Sequence, residues 1–209
     1  MKVNAEVDTA VSSRYRAKVY PTVLVLKPDG TEIDRVVGYY RAPEFIALVE
    51  DYLAGRNTLG SMIQEEATKG QDAAFVSKLA DRYFEHGLYD EAKSRYERIA
   101  TLDPENKSGL VDDALISVAR MHRKDNDLPG YRRYAQMVVD KYPDSDMVRT
   151  ARLYVAGSYK REGNFTKARE LFLDYAKRFP DDEDAPYAKE QADSMAVKIA
   201  EERAGKTGA

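Results

Sequence analysis

The sequence predicts a mainly α-helical chain: a helical solenoid of helix–turn–helix units, about three of them plus a capping helix, behind a partial α/β segment. Three observations carry this expectation. First, the composition changes near residue 57, from clustered β-branched residues (Val19, Val23, Val25, Ile33, Val36, Val37) to Ala, Leu, Tyr, Glu, Lys and Arg at helical spacing. Second, a set of ordered small and aromatic positions recurs along the second part. Third, Pro104, Pro143 and Pro180 punctuate that part at intervals of 39 and 37 residues.

Within residues 1–57 the pattern predicts a short strand from Val3 to Val7, then a helix from Thr9 to Ala17 with Asp8 as its N-cap. A strand over Thr22 to Leu26 follows. Pro28-Asp29-Gly30 is a turn, because proline presets φ and glycine accepts positive φ. A second strand, Glu32 to Val37, closes a hairpin that Gly38 ends. Pro43 suits the first turn of a helix whose apolar stripe is Phe45, Ile46, Val49 and Leu53. Gly55 is placed to terminate it. Residues 58–71 read as a linker.

Residues 72–204 repeat. Leu79, Ala80, Tyr83, Gly87, Tyr89, Ala92, Tyr96, Ile99, Ala100 and Pro104 stand in the same order and at the same intervals as Val155, Ala156, Tyr159, Gly163, Phe165, Ala168, Phe172, Tyr175, Ala176 and Pro180. A degenerate middle unit runs Val118, Ala119, His122, Asn126, Leu128, Tyr131, Ala135, Val138, Val139 and Pro143. Alanine lets paired helices approach. Gly87 and Gly163 permit the tight turn, with Asn126 as the left-handed substitute. The prolines stop the second helix of each unit. A final helix, about Ala185 to Ala204, grows more charged and serves as a polar cap. Residues 205–209 read as a disordered tail.

These positions resemble the tetratricopeptide repeat family over roughly residues 72–204. The connections Tyr142-Pro143-Asp144-Ser145 and Phe179-Pro180-Asp181-Asp182 resemble a bacterial, periplasm-associated branch of it. Tyr20-Pro21-Thr22, the strand Val23 to Leu26, Pro28-Asp29-Gly30 and Gly38 before a last helix resemble the C-terminal portion of thioredoxin. That resemblance implies a cis peptide before Pro21, with Tyr20 and Thr22 flanking a substrate-contacting edge. It also implies that the Cys-x-x-Cys part of such a fold precedes this sequence, so that the segment is truncated and exposes unpaired sheet edges.

Composition narrows the functions. There is no cysteine among the 209 residues, so this chain has no thiolate to exchange disulfides and no thiolate metal site. The two histidines, His86 and His122, show no metal or triad spacing. With 33 basic against 36 acidic residues the net charge is −3, which opposes bulk phosphate attraction and hence nucleic acid. No catalytic residue, metal or cofactor is expected. Asn106-Lys107-Ser108 and Asn164-Phe165-Thr166 match glycosylation acceptors only as common tripeptides. No run approaches the roughly 18 apolar residues of a membrane span, and no export pattern opens the chain. As written it is expected to be soluble and cytoplasmic, with a periplasmic setting open for a longer parent.

By resemblance to curved repeat arrays, the first helix of each unit lines a binding groove. That places Asp81, Phe84 and Glu85, then Ile116, Arg120, Arg123 and Lys124, then Leu153, Lys160 and Arg161 in the groove. Phe84 and Ile116 are the expected apolar anchors. The basic half is expected to receive an acidic segment of a protein partner, and the alternative is an ordinary solvated helix face. Ser77, Asp81, Ser117, Thr150 and Tyr154 occupy the positions at which some relatives clamp a terminal carboxylate, so that specialised mode is not expected. Three readings stay open: an interaction scaffold with a redox-inactive thioredoxin-like part, a fragment of a thiol–disulfide oxidoreductase, and a redox-dead fold that only holds peptides. An open sheet edge also allows a homodimer.

Overall fold

The computed structural model describes residues 2–4 and 7–207, with side chains through Ala204. It divides into two compact units, Met1–Leu102 and Asp103–Ala209. The first unit thus reaches past residue 57 and takes in the first helical hairpin.

The first unit opens with helix α1, Thr9–Arg14, which Asp8 caps by accepting from Val11 N. The helix stops at Arg14, short of the expected Ala17, and Arg16 turns to φ 51°. Of the strand expected over Val3 to Val7, residues 5 and 6 lie outside the described residues; the others form no ladder. Strands β1 (Thr22–Leu26) and β2 (Glu32–Val37) pair antiparallel, Val23 with Val36 and Val25 with Asp34, with a register shift at Leu26. Gly30, at φ 81°, completes the turn, and the Asp29 carboxylate accepts from Thr31 N at 2.8 Å. Among the described residues no other strand joins either edge of this pair.

Helix α2, Ala42–Leu53, covers one sheet face. Val25, Val36 and Tyr52 are buried there, with Ile33, Phe45, Leu48 and Val49 packed around them. The stretch read as a linker carries helix α3, Leu59–Lys69. Thr58 caps it by accepting from Ser61 N at 3.0 Å, and its Leu59 and Met62 are buried. Helices α4 (Ala73–Glu85) and α5 (Tyr89–Leu102) form the first hairpin, closed by Gly87 at φ 70°. Its core is Val76, Leu79, Ala80, Tyr83, Ala92, Tyr96 and Ile99. Glu66 on α3 holds Arg95 (2.9 Å) and Arg98 (3.4 Å) of α5.

Asp34 and Arg35 join the sheet to this hairpin. Asp34 is fully buried, and its carboxylate accepts from the first helical N–H of α3, Leu59 N, at 2.6 Å. It also pairs with Arg82 and lies 2.9 Å from His86 Nε2, both at the end of α4. Arg35 grips both oxygens of Glu32 at 2.6 and 2.7 Å. The same guanidinium donates to Tyr15 O (2.7 Å) and, across at α4, to Glu85 O (3.1 Å). Burial acts to raise the Asp34 pKa. The His86 hydrogen bond, the Arg82 charge and two backbone N–H groups outweigh it and hold the carboxyl below its ordinary range.

In the second unit, α6 (Val111–Lys124), α7 (Leu128–Lys141), α8 (Val148–Glu162), α9 (Phe165–Arg178) and α10 (Ala185–Thr207) each pack on the next in order. Asn126 takes φ 59° and Gly163 φ 83° at corresponding turns, as expected of left-handed positions. Asp127 caps α7 through Gly130 N at 2.9 Å, and Asn164 caps α9 through Lys167 N at 3.1 Å. Ala156, Ala168, Phe172, Tyr175, Ala176, Ala188, Ala192 and Met195 form a buried core between α8, α9 and α10. Helix α10 runs to Thr207, through residues read as a tail, and residues 208 and 209 lie outside the described residues. Its outer face is not purely polar: Tyr187 and Val197 are exposed.

Candidate functional site

The expected groove positions fall on α4, α6 and α8, and the two units treat them differently. In the first unit they are taken up internally. Glu85 pairs with Arg82, and its carbonyl accepts from Arg35. Phe84 packs on Tyr89 with ring centres 5.3 Å apart. Asp81 accepts from the Tyr96 hydroxyl at 2.5 Å. Crowding around its carboxylate raises its pKa, and the tyrosine hydrogen bond opposes that rise. Phe84 and Glu85 are thus engaged within the unit, while Asp81 stays exposed beside its tyrosine partner.

In the second unit, Ile116 is 1% exposed, so it is core and not an open anchor. An apolar residue on a helix reads alike in sequence whether it faces a groove or the neighbouring helix. Leu153 is partly buried against the α8–α10 core. Lys160 donates to Gln191 of α10 at 2.5 Å, and Lys124 lies exposed at the last position of α6.

Arg120, Arg123 and Arg161 are different. They are exposed, and among the described residues none makes an ion pair. Arg120 Nε donates to the Tyr154 hydroxyl at 2.8 Å and stacks 5.8 Å from its ring centre. Arg123 lies 5.6 Å from the Tyr154 ring and 5.9 Å from the Tyr131 ring. The two rings meet at 5.2 Å. Tyr131 is 3% exposed. Burial pushes its hydroxyl up to about 12, against the pull of the Arg123 charge, with Arg161 also acting on it. The α6–α7–α8 face thus holds guanidinium groups steadied by aromatic rings and facing solvent.

The sequence pattern names Arg120, Arg123 and Arg161 as groove positions, Tyr154 as a clamp position and Tyr131 as a repeat position, but does not tell that Arg120 and Arg123 lie against these two rings. A signal was present: Tyr131 stands where the flanking units carry Ala92 and Ala168. The room comes from Gly157 on α8, whose added Cβ would lie 3.9 Å from the Tyr131 hydroxyl.

At the thioredoxin-like edge, the Tyr20–Pro21 peptide is cis. Tyr20 is 58% exposed and donates to Ala17 O at 2.9 Å; Thr22 donates to Val19 O at 2.6 Å. Pro21 O accepts from Gly38 N at 2.9 Å. The remaining motifs are structural. Asn106 donates to the buried Asp112 and accepts from Val111 N, and Asn164 is an N-cap. Asp182 accepts from Tyr175 and Arg149. His122 contacts Asp127 at 2.7 Å and stacks on Tyr134. Among the described residues no three metal-ligating side chains gather, and no helix is long and apolar enough to cross a membrane.

No curated protein matches the chain. The family comparisons match two stretches of it: a thioredoxin-like domain over residues 2–53 and a tetratricopeptide repeat over residues 150–182, which spans most of α8 and α9. The chain therefore combines a thioredoxin-like segment that lacks cysteine with tetratricopeptide-type helical hairpins.

Proposed function

We propose that this chain is a protein-interaction scaffold whose second unit holds an acidic segment of a partner, with a redox-inactive thioredoxin-like segment alongside. The observation behind this reading is the α6–α8 face, where Arg120, Arg123 and Arg161 are exposed without carboxylate partners on a scaffold similar to a protein-binding repeat. Such a face attracts negative charge without first breaking an internal ion pair. Fluorescein-labelled poly-L-glutamate titrated against the whole chain tests it. The charge reversals Arg123→Glu and Lys160→Glu together are expected to weaken binding by at least about tenfold. Unchanged binding overturns the reading.

The thioredoxin-like match over residues 2–53 favours a second reading for a longer parent: a thiol–disulfide oxidoreductase whose Cys-x-x-Cys part is not in this sequence. Reading the coding DNA upstream of Met1, in frame, decides it. An in-frame Cys-x-x-Cys roughly 20 residues ahead supports a redox parent, and a stop codon or unrelated sequence removes it. Among the described residues no strand pairs with the outer edges of β1 and β2, which leaves homodimerisation as a further proposal that sedimentation of the purified chain tests.

A further inference from the structure

We infer that the Arg120–Tyr154–Arg123 cluster reads acidic side chains at alternate positions of an extended peptide; this rests on the interaction reading above. The chain itself provides the template. Arg132 lies 4.0 Å over the Tyr159 ring, and its fork closes on both oxygens of Glu162 at 2.9 Å each. Arg95 does the same, stacked 5.0 Å from Tyr83 and gripping both Glu66 oxygens at 3.2 and 2.9 Å. Arg82 stacks on Tyr52 and pairs with Asp34 and Glu85. In each case the guanidinium lies over a ring and its nitrogens meet carboxylate oxygens. Arg120 and Arg123 have the ring, Tyr154, and no carboxylate.

Spacing selects the ligand. Arg120 and Arg123 are three residues apart on α6, which puts their Cβ atoms about 5–6 Å from each other on one face. In an extended peptide, side chains at i and i+2 point the same way and lie about 6.7 Å apart. Adjacent acidic residues point to opposite sides, and acids four apart overshoot. An acidic-x-acidic peptide is therefore able to fill both forks at once. The buried Tyr131 ring, 5.2 Å from Tyr154 and 5.9 Å from the Arg123 guanidinium, backs the site from α7.

The test uses the whole chain at low salt, where exposed charges are least screened, and two fluorescein-labelled peptides of equal length and net charge. One carries Glu-Ser-Glu, the other Glu-Ser-Ser-Ser-Glu, and anisotropy reports binding. The alternate-spaced peptide is expected to bind about tenfold more tightly, the worth of one further charge-assisted bidentate pair. Arg123→Gln is expected to erase that preference, while Arg133→Gln, a tyrosine-stacked arginine outside the cluster, leaves it intact. Equal affinity for the two peptides, with both weakened by Arg123→Gln, overturns the spacing inference and leaves the interaction reading standing. Absence of binding by either peptide, together with indifference of poly-L-glutamate to the charge reversals, overturns both.

Discussion

Substituting Asp34 by asparagine removes one charge from the best-buried ionic cluster of the first unit. Asp34 is 0% exposed and accepts from Leu59 N and Arg35 N, each at 2.6 Å, with His86 Nε2 at 2.9 Å and Arg82 alongside. Asparagine keeps the volume and one acceptor oxygen, but turns an amide donor toward groups that are donors themselves. Removing one member of a buried pair costs about 3–5 kcal/mol. The side chains of Arg82 and His86 are each 13% exposed, so they recover some water and the lower figure, about 3 kcal/mol, applies. Against a typical domain stability of about 5–15 kcal/mol this is a large fraction. At about 4 °C or more per kcal/mol, the melting midpoint of the first unit falls by about 12 °C or more.

Thermal unfolding by circular dichroism measures that drop, and hydrogen exchange locates it. Protection should fall in β2, the first turn of α3 and the last turn of α4, with residues 103–207 unaffected. The pH dependence follows from the lowered pKa. Asp34 contributes stability above its ordinary value of 3.8, and that contribution is lost as pH falls through the lower folded value. Asp34→Asn should therefore flatten the acid limb of the stability curve. A midpoint within about 0.5 kcal/mol of the parent, the range of neutral surface changes, would refute the claim that this carboxylate joins sheet to hairpin.

Two glycines of the second unit should respond to alanine with opposite signs. Gly157→Ala places a methyl at ordinary contact distance, 3.9 Å from the Tyr131 hydroxyl. It should stabilise the unit by about 0.5–1 kcal/mol through helix propensity, and a lowered midpoint in urea would show that Tyr131 needs all of that space. Gly130→Ala drives its methyl into the His122 ring and the Asp127 carboxylate. It should cost about 1–3 kcal/mol, and an unchanged urea midpoint would show that the His122–Asp127 contact yields freely.

Much of the fold was legible because the chain marks its turns chemically. Gly87, Asn126 and Gly163 sit at positive φ where the repeat spacing places them, and the hairpin Thr22–Leu26 with Glu32–Val37 follows from its Pro-Asp-Gly turn. Helix α3 was hidden, because Gly60 and Ser61 in its first turn look like linker composition while Leu59 and Met62 find their cover only in the folded unit. The site was half legible. Spacing places Arg120 and Arg123 on one face of α6, but the exposed role of these residues and the buried role of Ile116 depend on what packs beside them. Asp34 and Arg35 stand out as charges inside a β-branched strand, yet their partners Leu59, Arg82, Glu85 and His86 lie 25 to 52 residues further along.

The Asp34–Arg35 cluster also bears on how such a chain is inherited. A recombination breakpoint near residue 57, where the composition changes, would pass Arg82 and His86 to one descendant without Asp34, and leave Asp34 in another without either of them. The second product would carry a buried carboxylate stripped of both side-chain partners. A breakpoint after Leu102 separates no member of the cluster from another. Descendants of this architecture should therefore exchange the thioredoxin-like segment and the first hairpin as a single heritable block, with domain shuffling confined to the helices that follow.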